Sequence, residues 1–85
     1  MNYQQLLASA LVIYGSGDEA GALAELDKAL AEAARVDPEG PRVAEVLNYV
    51  ALLHRDAGRS AQEQAVLARV AAIWARFPEQ GLGPA

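Results

Sequence analysis

Ala22, Leu23, Leu26, Ala29, Leu30 and Ala33 follow one another at three- and four-residue steps, with Glu25, Lys28, Glu32 and Arg35 on the opposite side. That alternation is the period of an amphipathic helix, and it predicts one running from about Asp18 to Val36. Asp18 is the expected N-cap, while Ser16-x-x-Glu19 offers a capping box just upstream. An earlier helix is expected over Tyr3–Tyr14, stopped at Gly15-Ser16-Gly17, where two glycines can take left-handed conformations. Asp37-Pro38-Glu39-Gly40-Pro41 interrupts the pattern with two prolines and a glycine. A third helix is predicted from Arg42 to Ala57, ending at Gly58. A fourth opens on the capping-box signature Ser60-x-x-Glu63 and runs to Phe77, before Pro78. No strand pattern competes, and the short connections at 15–17 and 57–59 impose antiparallel hairpins.

The two hairpins are copies of one unit. Leu6 recurs as Leu47, Ala10 as Ala51, Leu11 as Leu52, Gly17 as Gly58, Ala24 as Ala65, Leu26 as Leu67 and Ala34-Arg35 as Ala75-Arg76, always 41 residues later. A repeat of this length marks a solenoid, in which each unit buries its apolar face only against a neighbour. The expected organisation is therefore a two-repeat domain over 1–78, with repeat one at 2–36 and repeat two at 42–78. Residues 79–85 are expected to form a flexible tail.

Composition narrows the functional classes. The chain has 85 residues, one small domain, and 53% of them are apolar, but only five are aromatic, so Ala, Leu and Val must build the core. Cysteine is absent, which excludes disulfides and thiolate metal sites and suits a reducing compartment. A net charge of −4 argues against nucleic acid, which needs a cationic face to release counterions. Residues 1–45 carry −5 and residues 46–85 carry +1, so one copy could steer onto another. Solvated helix faces are the plainer reading of those charges. No segment is long enough to span a bilayer. Leu6–Tyr14 looks superficially like the apolar part of a secretion signal, but Met1–Gln5 has no Lys or Arg and the stretch aligns with Leu47–Arg55. The expectation is a structural helix in a cytoplasmic protein without membrane contact.

Val43-Ala44-Glu45-Val46-Leu47-Asn48-Tyr49-Val50-Ala51-Leu52-Leu53-His54-Arg55-Asp56-Ala57-Gly58-Arg59, with Ala72-Ile73-Trp74 further on, resembles a tetratricopeptide repeat (TPR). It is most similar to the long-period variety found in kinesin light chains and many bacterial proteins. Unit one fits the general form through Leu6, Ala10, Gly17, Ala22, Leu26 and Ala29. The resemblance implies an all-α fold of two antiparallel helix-turn-helix repeats, a right-handed α-solenoid fragment, acting as a protein-protein interaction module. Three departures stand out. Glu63 and Val70 replace the small residue preferred in the second helix, His54 replaces Tyr, and only Asn48 remains of an Asn-Asn pair that touches ligand backbone in the family.

Two surfaces are candidates. In such arrays the first helix of each pair lines the concave face, which maps here to Gln4, Leu7, Leu11 and Tyr14, then Glu45, Asn48, Leu52 and Arg55. Each set forms one stripe, suited to an extended or helical peptide of another protein; ordinary surface contact is the plainer alternative. The second is the last helix, where Val66, Leu67, Val70, Ile73, Trp74 and Phe77 are expected to cover a wider arc than one neighbour can bury. Such a face marks an interface, and self-association into a homo-oligomer through Val66, Val70, Ile73, Trp74 and Phe77 is the leading expectation. A compact monomer with the tail folded over Trp74, or excision from a longer array, would account for the same residues. Catalysis has little to work with. His54 and Asp56, two apart on a helix, do not share a face, and no metal-ligand spacing, phosphate loop or nucleophile element is present. The expectation is no enzyme, no cofactor and no metal.

Overall fold

A computed structural model describes residues 2–77. It contains four helices, α1 (Tyr3–Gly15), α2 (Glu19–Val36), α3 (Pro41–Asp56) and α4 (Ser60–Ala75), and no strand among the described residues. Their ends lie within two residues of the sequence expectation. The expected flexible tail, 79–85, lies outside the described residues.

The caps explain where each helix begins. Asn2 caps α1 in a reciprocal box: its side chain accepts from the Gln5 amide, and the Gln5 side chain accepts from the Asn2 amide. Asp18 caps α2 by accepting from the Gly21 amide at 2.9 Å. Pro41 opens α3 at the one turn where a missing N–H costs nothing. The start of α4 corrects the sequence reading. Ser60 is its first helical residue and Arg59 its N-cap, with no side-chain cap bond, so the Ser60/Glu63 box does not form. Gly17 and Gly58 both turn the chain at positive φ, +92° and +77°, a conformation that strains residues with a Cβ.

Helix α1 packs on α2, α2 on α3 and α3 on α4. One apolar core runs through all four, with Leu26, Val43, Val46, Leu53 and Ile73 among its most enclosed members. Two phenols set α1 beside α3 in parallel register. The Tyr3 hydroxyl donates to Glu45 Oε1 at 2.9 Å near the start of both helices, and Tyr14 donates to Asp56 Oδ2 at 2.5 Å near their ends. A third tie joins the two turns, where Arg59 pairs with Glu19. The far end of α4 is held to the 37–40 loop, Arg76 donating to the Glu39 carbonyl at 3.3 Å.

The last helix overturns the expected bare end. Val70 is 7% exposed, Ile73 0% and Trp74 9%, all inside the common core, with Val66, Leu67 and Phe77 half-buried. At about 100° per residue the six apolar side chains span about 120° of the helix, which one packed face can cover. The large hydrophobics that remain exposed lie elsewhere, at Leu11 (38%), Val12 (75%) and Val36. Of the five residues expected to self-associate, Val70, Ile73 and Trp74 are thus engaged within the chain, while Val66 and Phe77 are half-buried.

Candidate functional site

Around α3 the neighbours fall in order. Arg42, Glu45 and Asp56 face α1, the Arg42 guanidinium lying 5.6 Å from the Tyr3 ring centroid. Val46 and Leu53 are buried. Between these lies a stripe of Pro41, Asn48, Leu52 and Arg55, continued by the Tyr3-bound Glu45, at the steps that keep residues on one helix face.

This stripe floors a trough. One depression of about 460 Å³ is bounded by Tyr3, Pro41, Arg42, Glu45, Asn48 and Trp74. A second of about 280 Å³ is bounded by Asn48, Tyr49, Ala51, Leu52, Arg55, Glu63 and Leu67. Asn48 is common to both and sits where they meet. The walls are mostly aliphatic and aromatic, with opposite charges at each end. Asn48 and Arg55 are exposed and Leu52 is half-buried.

The four residues expected from unit two, Glu45, Asn48, Leu52 and Arg55, therefore come together. The four from unit one do not. Gln4 and Leu11 are exposed, but Leu7 is buried and Tyr14 spends its hydroxyl on Asp56. The reason is tertiary: Leu7 joins the common core and Tyr14 is tied to Asp56 near the end of α3, so half of the α1 stripe is engaged within the chain. Tyr3, Trp74 and Leu67 complete the walls. Of these, Tyr3 was open to discovery from the sequence, because it stands 42 residues before Glu45, close to the repeat length.

Titratable groups are set by the same contacts. Burial, then the bond to Glu45, pushes the Tyr3 phenol above its ordinary range. The bond to Asp56 raises that of Tyr14. Lys28 holds Glu25 below the usual carboxylate range from the far side of α2. His54 accepts a hydrogen bond at Nδ1 from Arg59 Nε, 2.9 Å away, while Arg59 also reaches Glu19. His54 thus belongs to the tie between the turns, and Asp56 is engaged by Tyr14 rather than by His54. Among the described residues no three His, Asp or Glu side chains cluster closely enough to hold a metal ion, and no helix is long and apolar enough to cross a membrane.

Compared with known proteins, the chain matches no protein family, no curated protein and no solved structure.

Proposed function

We propose that the chain is a non-catalytic interaction module of the tetratricopeptide type, two turns of a right-handed solenoid, whose trough along α3 binds a segment of another protein. The observation that carries this reading is the spacing of Glu45, Asn48, Leu52 and Arg55 along one side of α3, where they line two depressions that share Asn48. A long, open, largely apolar trough with polar groups at its middle and ends suits a chain segment better than a small metabolite held on all sides. The exposed Asn48 amide offers both a donor and an acceptor to a bound backbone. A cysteine-free chain of this kind is in keeping with a cytoplasmic setting.

Selection from a displayed peptide library, with Asn48→Arg as counter-target, tests the proposal. Peptides recovered on the wild type should bind Asn48→Arg and Leu52→Glu at least about tenfold more weakly, the loss typical of one central contact. Peptides that bind all three proteins alike would refute it.

A further inference from the structure

The repeat supplies a template for one end of the trough. Shifting the second depression back by one repeat carries Asn48 to Leu7, Ala51 to Ala10, Arg55 to Tyr14, Glu63 to Ala22 and Leu67 to Leu26. In unit one Leu7, Ala10, Ala22 and Leu26 are buried and Tyr14 donates to Asp56 on the last turn of α3, while Ala8 and Leu11, the counterparts of Tyr49 and Leu52, stay exposed. The helix on that side is α3 itself, packed on α2 and tied to α1 in parallel register by the Tyr3–Glu45 and Tyr14–Asp56 bonds. In unit two the corresponding place is open among the described residues: Asn48 and Arg55 are exposed, while Glu63 and Leu67 are half-buried.

We infer that this end of the trough docks one α-helix of a partner protein, laid parallel to α3, with a carboxylate on its last turn directed at Arg55. The inference rests on the interaction-module reading and specifies its partner. Charge selects the occupant. Where unit one presents a phenol to Asp56, unit two presents a guanidinium, which takes an acidic residue more strongly still. Glu63, in place of Ala22, asks for a cationic or hydrogen-bonding neighbour, and Asn48, in place of Leu7, asks for a polar one. The helices of a second copy do not answer these demands, since the Asp56 of its α3 is already bound to Tyr14. Its leading helix α1 carries no charged residue between Tyr3 and Gly15, so Arg55 and Glu63 would be covered without counterparts.

The probe is a fluorescent, side-chain-stapled helix with the α3 sequence, Pro41–Ala57, measured by anisotropy against the whole chain and mapped by amide chemical shifts. The expected result is saturable binding with shifts at Asn48, Arg55 and Leu67. A Lys at the probe position of Asp56 should weaken binding about fivefold, as should Arg55→Glu in the protein, the scale of one exposed ion pair. Combining the two changes should recover the loss, which a merely structural role for Arg55 would not produce. Absence of binding up to about 1 mM, the weakest affinity an interface of this kind sustains, would overturn the inference. Binding indifferent to either charge would overturn it too, as would a concentration-dependent mass abolished by Arg55→Glu, which would make a second copy the occupant. If library-selected peptides still bind the wild type and lose affinity on Leu52→Glu, the trough reading survives that failure; if they do not, both fall together.

Discussion

Helices α2 and α4 occupy the same place in their two units, 41 residues apart, yet they present different faces. On α2, Leu23, Leu30 and Ala34 are half-buried on the flank that also carries Glu19, the residue that reaches Arg59 in unit two. Their counterparts on α4 are Gln64, Ala71 and Ala75, all exposed. The exchange runs the other way on the opposite side: Glu25 and Glu32 of α2 become Val66 and Ile73, and Ala33 becomes Trp74. The apolar arc has turned by roughly 70° about the helix axis, at about 100° per residue. Among the described residues α2 packs on two neighbours, α1 and α3, and α4 on α3. Two helices can therefore share a repeat and differ in where the bulk is placed.

The strongest break of this contrast is Trp74→Ala. It should lower stability by about 3–5 kcal/mol in urea denaturation, because the indole fills space that its counterpart Ala33 leaves to others. Restoring the α2 residue at Ile73, as Ile73→Glu, should cost about 3 kcal/mol by placing an unpaired carboxylate in a fully enclosed position. Grafting the other flank, Gln64→Leu with Ala71→Leu, should change monomer stability by no more than about 0.5 kcal/mol, as exposed substitutions do. It should nonetheless create concentration-dependent association by sedimentation, since α4 would then carry an uncovered leucine face.

Smaller effects sharpen the join between the units. Glu19→Ala and Arg59→Ala in a double-mutant cycle should show coupling of about 1 kcal/mol at most, because both side chains are about one-third exposed. The phenol ties predict a loss of stability in alkali. Both Tyr3 and Tyr14 hold their protons more firmly folded than unfolded, so their contribution is complete below the ordinary phenol value of about 10 and fades as pH rises beyond it. Denaturation midpoints should fall there, and Tyr3→Phe with Tyr14→Phe should flatten the fall.

Helix positions were readable because Gly17, Gly58 and Pro41 act locally, through φ and a missing donor, and because three- and four-residue spacing survives in every segment. The α3 stripe was readable for the same reason. The facing of α4 was not, since aligned identities such as Leu26/Leu67 and Ala34/Ala75 conceal a rotation carried by the positions that differ. The places of Leu7 and Tyr14 were not readable, because Leu7 enters the common core and Tyr14 meets Asp56 of α3, tertiary contacts that no spacing within α1 encodes. The Ser60/Glu63 box does not form because the hydrogen bonding of α4 starts one residue earlier, the Glu63 amide donating to the Arg59 carbonyl, which makes Arg59 the N-cap.

Trp74 is the single tryptophan and so reports on α4 alone. Its emission and its quenching by acrylamide, followed from about 1 µM to about 100 µM, separate a core residue from an interface residue, because burial at an interface depends on concentration. The account predicts a blue-shifted, protected indole whose signal is the same throughout. An indole that is red-shifted and freely quenched in dilute solution, and becomes protected only as concentration rises, would contradict it.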